Sequence, residues 1–195
     1  MITTQLLPEA FYDSLSLAHK LDNYLDGFKR HEIQLFSYFA SILYLYSGKP
    51  IATWEYRYIV VDGFPFADTI NEAITRHLAN GNFEENDDFL TLSGRGTDEF
   101  QKFTKLSMFS PRERFLDAAC TASILVPYSK TVKSLLSQPE IKEIGQLNKR
   151  SWLEQMNIYP KFQEISESLG VHTDDLLLPA VTWINYLGVN EKEEF

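Results

Sequence analysis

The residues able to do chemistry are few and scattered. Four histidines stand at positions 19, 31, 77 and 172, and no two have the four-residue spacing that lets a pair of imidazoles share a metal ion on one helical face. His77 sits on a predicted helix and reads as a surface residue. The adjacent carboxylates Asp87-Asp88 belong to a turn, and Asp174-Asp175 belong to a helix start, where negative charge stabilises the dipole without catalysing anything. Cys120, the one cysteine, lies in the run Ala118-Ala119-Cys120-Thr121-Ala122 and is expected to pack as a small hydrophobe. A single cysteine excludes an intramolecular disulfide and a multi-cysteine zinc site. No serine occupies a nucleophile elbow. Gly94-Arg95-Gly96 would offer backbone amides to an anion, but no lysine follows to complete a phosphate loop, so the segment reads as a structural turn. Nothing in these residues argues for an enzyme, and no cofactor or metal is expected.

Charge is more informative than any motif. The 195 residues carry 27 acids and 18 bases, a net of -9, with 44% apolar residues. That composition is globular and argues against a chain that coats nucleic acid with its whole surface. The charge is uneven. Residues 1–101 hold 15 acids and 7 bases, residues 102–150 hold 4 and 9, and residues 151–195 hold 8 and 2. A basic middle is therefore flanked by acidic ends. Lys102, Lys105, Arg112, Arg114, Lys130 and Lys133 are the candidates for contact with a DNA backbone, against the simpler reading of a solvated helix face balanced by Glu113 and Asp117. The first residues have no basic, apolar leader. The most apolar segment, Ile33 to Tyr46, is too short and too interrupted to span a bilayer, so the expectation is a cytoplasmic chain without membrane contact.

The elements that must position these residues are mostly helical. Apolar spacing predicts helices from Pro8 to Asp26 and from His31 to Ser47, the second apolar on most sides and central to the core. Thr53 to Val61 alternates, with Trp54, Tyr56 and Tyr58 on one face, and predicts an extended segment. Asp62-Gly63 is a turn, after which a helix runs from Ala67 to Ala79 and closes at Asn80-Gly81. A hairpin comes next, turning at Glu85-Asn86-Asp87-Asp88, with Phe89 and Leu92 pinning it to the core. Thr97 is expected to cap the next helix. Ser110-Pro111-Arg112-Glu113 reads as a capping box with proline at the first turn, and Ser129 as a later cap. Pro139, Ser151 and Pro160 punctuate the later helical segments, and Thr173-Asp174-Asp175 opens a last helix ending before Gly188.

The segment from Ile33 to Phe103 resembles a winged helix. Ile74 to Phe83 resembles a recognition helix running into a wing, and Phe89-Leu90-Thr91-Leu92-Ser93-Gly94-Arg95-Gly96 resembles the wing exit. The predicted class is mostly α with a small β-wing, divided into an N-terminal helix (1–30), a winged-helix domain (31–109) and a helical subdomain (110–195). Residues 67–96 carry six acids against Arg76 and Arg95, the wrong sign for a groove reader that must neutralise phosphate. Protein docking suits such a domain better.

The layout is also similar to the small middle-component subunits of bacterial three-component ABC-ATPase defence systems, of which Lamassu is one type. The likeness is carried by Ile42-Leu43-Tyr44-Leu45-Tyr46-Ser47-Gly48-Lys49-Pro50 and by the wing segment Phe89 to Gly96. It implies a non-catalytic subunit that binds an SMC-like ATPase and couples its DNA sensing to an effector nuclease. Trp54, Tyr56, Tyr58, Trp152 and Trp183 are the candidate interface anchors. The competing readings are a winged-helix transcription regulator dimerising through its C-terminal helices, and an enzyme of an unrecognised kind.

Overall fold

The computed structural model describes residues 6–147, 151–170 and 175–193. The chain is mostly α with a small β-wing. Helix α1 (Pro8–Asp22) leads through a turn to α2 (Arg30–Tyr46). Proline opens α1, and the Glu32 carboxylate caps α2 by accepting from the Lys29 amide at 2.6 Å. Every residue of α2 from Ile33 to Tyr46 is buried, as its all-round apolar sequence requires. Gln34 is matched inside: its side-chain amide accepts from the Ala67 amide at 2.9 Å and donates to the Ala67 carbonyl at 3.2 Å.

After α2 a 3-10 turn (Ile51–Trp54) precedes strand β1 (Tyr58–Val61) and strand β2 (Phe64–Phe66). The predicted extended segment is therefore half turn and half strand, but Trp54, Tyr56 and Tyr58 do share one buried side. Asp62 and Gly63 both take positive φ, 51° and 79°, the two-residue hairpin geometry that folds Phe64 back onto Val61. Pro65, expected to lead directly into a helix, instead lies in β2. Proline is tolerated there because β2 is an edge strand of a three-stranded sheet with β1 at its centre. Strand β5 (Trp152–Leu153) pairs with Ile59 and Tyr58 and is too short to show any periodicity.

Helix α3 (Asp68–Ala79) runs into the wing, strands β3 (Phe83–Asn86) and β4 (Phe89–Leu92). Phe28, between α1 and α2, bridges to Leu90 through two backbone hydrogen bonds of 2.9 and 2.7 Å. The order of helix, bridging strand, helix, helix and wing is that of a winged helix whose first helix is α1. The β1–β2 hairpin is inserted between its second and third helices. Leu90, not Phe89, anchors the wing: Leu90 is buried and Phe89 is 46% exposed.

Helix α4 (Gly94–Phe103) is capped by Ser93, not Thr97. The Ser93 hydroxyl accepts from the Gly96 amide at 3.0 Å and donates to the Gly81 carbonyl at 2.7 Å. Gly96 is required by close approach, since a β-carbon there would fall 2.3 Å from the Asn82 carbonyl oxygen.

The remaining helices are α5 (Ser110–Leu125), α6 (Tyr128–Leu136), α7 (Pro139–Leu147), α8 (Gln155–Ser168) and α9 (Leu177–Glu193). In α5 the cap position is Phe109, and Glu113 turns away from it toward α1. Helix α6 begins before Ser129, and α8 passes through Pro160. Asp175 supplies the last cap, accepting from the amides of Leu177 and Leu178, while Thr173 and Asp174 lie outside the described residues. Helix α9 continues through Gly188, whose missing side chain lets it lie against Ser134 of α6. One apolar cluster takes side chains from α1 through α9, so the boundaries expected near residues 30 and 110 fall within a shared core.

Candidate interaction surface

The aromatic residues expected to anchor a partner are, with one exception, interior. Trp54, Tyr58 and Trp183 are at most 2% exposed and Tyr56 is 7%, whereas Trp152 is 53% exposed beneath the Arg57 guanidinium. Burial follows from chemistry: three of the four form a directed hydrogen-bond chain. Trp54 Nε1 can only donate, and it donates to the Tyr58 hydroxyl at 3.2 Å. Tyr58 then donates to Ser37 at 2.7 Å, Ser37 to Tyr56 at 2.8 Å, and Tyr56 to the Asp13 carboxylate. Each hydroxyl has one proton, so fixing the two ends fixes every direction between them.

Arg112 completes the chain from the other side. Its Nε donates to Asp13 Oδ1 at 2.9 Å, its Nη2 to Oδ2, and its Nη1 to the Trp54 carbonyl at 3.3 Å. The guanidinium lies 3.9 Å from the centre of the Trp54 ring. Desolvation works against the Arg112 charge, but Asp13 outweighs it and raises the pKa. Burial and then Asp13 hold Tyr56 protonated. Arg112 is 6% exposed, so it is removed from the expected basic patch. Lys102, Lys105, Arg114, Lys130 and Lys133 are exposed. Lys102 pairs with Glu99 on α4 and Lys130 donates to Asn185 of α9, so the basic residues are spread over helices with different neighbours.

His77, expected at the surface, is a second buried group. It has no exposed surface and lies between the Phe11 and Phe83 rings at 3.9 and 4.6 Å. Its Nε2 meets the Phe11 carbonyl at 3.0 Å and the Ser14 hydroxyl at 3.1 Å, and Asn82 donates to its Nδ1 at 3.1 Å. That network places the proton on Nε2 of a neutral ring. Burial lowers the His77 pKa to about 4 against the opposing Phe11 hydrogen bond. Cys120 is buried as expected, with its thiol pushed up to about 12 by desolvation. Among the described residues no three His, Cys, Asp or Glu side chains are placed to hold a metal ion, and no helix is long and apolar enough to cross a membrane.

Two of the exposed features are linked by the turn after α1. The wing presents Glu84, Glu85, Asp87, Asp88 and the half-exposed Phe89 ring, with Lys29 4.9 Å above it and Arg30 paired to Glu85 at 3.1 Å. Gly27 lies directly against Phe89, and three residues before it stands Tyr24, 63% exposed. Tyr24 and Leu25 form one wall of a groove of about 260 Å³ whose other walls are Ile124 and Tyr128, over Leu21, Cys120 and Ser123. Leu125, next to Ile124, is 61% exposed. Comparison with protein-family models, curated proteins and solved structures finds no match to this chain. The surface therefore has to be read from its own chemistry. It joins an apolar groove to an acidic, aromatic-tipped wing, the composition of a protein-binding face and the wrong sign for a phosphate backbone.

Proposed function

We propose that the chain is a non-catalytic accessory subunit that docks on a larger protein partner through its winged-helix side. The observation that carries this reading is the exposed Phe89 on an acidic wing, packed against Gly27 three residues from Tyr24 in the apolar groove at the ends of α1 and α5. Its resemblance to the middle components of three-component ABC-ATPase defence systems supplies the partner class. That partner is a cytoplasmic SMC-like ATPase, whose DNA sensing the subunit couples to an effector nuclease in defence against phage or plasmids. Any DNA contact by the chain itself is weak and to the backbone, through Lys102, Lys105, Arg114, Lys130 or Lys133.

The test is co-expression with an SMC-like ATPase of a three-component defence system. A stoichiometric complex that survives gel filtration is the expected result. Tight binding of the isolated chain to one DNA sequence, falling steeply with salt, would overturn it. That outcome would favour a winged-helix transcription regulator, the reading to which the order of α1, bridging strand, α2, α3 and wing lends support.

A further inference from the structure

The groove at the ends of α1 and α5 has walls that are apolar and surroundings that are acidic, and the two properties together specify what fits it. Leu21, Tyr24, Leu25, Ile124 and Tyr128 supply the apolar lining, and Leu125 extends it outward. An opening of about 260 Å³ accepts one or two large aliphatic side chains, which is the reach of anchors one turn apart on a helix. The nearby chain segments, residues 22–30 and 84–88, carry six carboxylates: Asp22, Asp26, Glu84, Glu85, Asp87 and Asp88. Within those segments Lys29 and Arg30 oppose them, one over the Phe89 ring and the other paired with Glu85, and Lys20, whose charge reaches Cys120 on the groove floor, is paired with Glu113 and Asp117. Behind the groove, Glu32 stands close enough to Tyr128 to raise its pKa, after burial. The field around the groove is therefore negative from the turn after α1 to the wing tip.

We infer that this groove is the seat of a basic amphipathic helix of the partner, with leucine-like anchors entering between α1 and α5 and lysine or arginine residues facing the wing. The inference rests on the docking reading above and deepens it. Charge complementarity selects this occupant over an acidic helix, which the wing repels, and over a second copy of this chain, whose corresponding face is equally acidic.

The probe is a fluorescein-labelled fourteen-residue peptide of leucine and lysine with leucines at helical spacing. Its comparator has glutamate at every lysine position, and both are titrated by anisotropy into the full chain. The lysine peptide binds saturably and about ten-fold or more tighter than the glutamate peptide. Leu125→Asp and Tyr24→Ala, both at exposed positions, each weaken it about five-fold or more. Leu169→Asp, at an exposed apolar position just after α8, leaves it unchanged. Equal binding of the two peptides, or indifference to Leu125→Asp, overturns the assignment. The underlying reading fails separately. A complex with the ATPase that Leu125→Asp leaves intact removes the groove and spares docking. Absence of any complex, with selective peptide binding retained, removes docking and spares the groove.

Discussion

Arg112 lies over the Trp54 ring in the interior, and Lys29 lies over the Phe89 ring on the wing, at 3.9 and 4.9 Å. The two pairs are chemically alike and physically opposite. The inner cation is dry, bidentate to Asp13 and attached to a chain of hydroxyls that leaves no member unmatched. The outer cation is partly solvated, and its neighbours are carboxylates whose fields water screens. An interior charge is held by geometry, and its removal strands a partner. A surface charge is held by nothing comparable, so its value lies in what it attracts or repels. The interior of this protein thus specifies structure, and the wing is free to specify a partner.

The sharpest way to break the comparison is Arg112→Ala. It leaves the Asp13 carboxylate buried without its cation, and a stranded charge of that kind costs about 3–5 kcal/mol. Chemical denaturation of the variant should show that loss, with the midpoint falling and the slope unchanged. The double variant Asp13→Leu with Arg112→Met should recover part of the loss, because no charge is then stranded although the Tyr56 hydroxyl loses its acceptor. Failure of Arg112→Ala to destabilise would mean that the inner pair is as weak as a surface one.

The second test uses protons. His77 titrates near 6.5 when unfolded and at about 4 in the folded chain, burial being the cause. Below 6.5 the unfolded state binds more protons, so stability is full above that pH and falls as pH drops toward about 4. A difference of that size corresponds to about 3 kcal/mol. Urea midpoints between pH 7 and pH 4 should fall accordingly, and His77→Gln should flatten the dependence while lowering the neutral-pH value. A His77→Gln variant that keeps the full acid slope would show that the slope belongs to other groups.

The same contrast explains why Arg112 and His77 elude a reading of the sequence. Helix periods, the Asp62-Gly63 turn and the wing hairpin are local patterns, and they stand in the sequence almost where they stand in the fold. The partners of Arg112 and His77 are not local. Asp13 is 99 residues from Arg112, and Phe11 is 66 residues from His77. A basic residue in an amphipathic helix carries no mark that says it faces inward. Trp54, Tyr56 and Tyr58 do carry one, their alternation, which indicates a shared face but not whether that face meets solvent or core. The apolar groove is legible only in fragments, since Tyr24 and Ile124 are distant in sequence and meet through the packing of α1 on α5. The wing's charge, by contrast, needs no fold to be read.

A third, smaller effect lies between the two extremes. Toward the surface from Asp13 and Arg112, α1 and α5 meet again where Glu113 accepts from Tyr12 at 2.6 Å and Ser16 at 2.8 Å and pairs with Lys20 at 2.7 Å. Lys20 also reaches Asp117 at 3.0 Å. Because Glu113 and Asp117 keep contact with water, Lys20→Ala should cost about 1 kcal/mol, several-fold less than Arg112→Ala, in the same denaturation assay.

The smallest effect on stability at any one site should come with the largest on behaviour. Reversing Glu84, Glu85, Asp87 and Asp88 to lysine alters four exposed side chains, and the one ion pair it breaks among the described residues is that of Glu85 with Arg30. Stability should change by about 0.5 kcal/mol or less per site. The wing and α3, however, go from repelling a phosphate backbone to attracting it in the frame that winged helices use for DNA. Affinity for a random-sequence duplex should therefore rise well above that of the wild type. Each lysine that seats on a phosphate adds about 0.9 to the slope of log affinity against log salt, so four would give a slope of about −3.6. If the reversed wing adds no affinity for DNA, something other than charge keeps the winged helix off the duplex. In that case the shape of the inserted β1–β2 hairpin, not the acidic wing, would be the feature that separates this fold from a DNA reader.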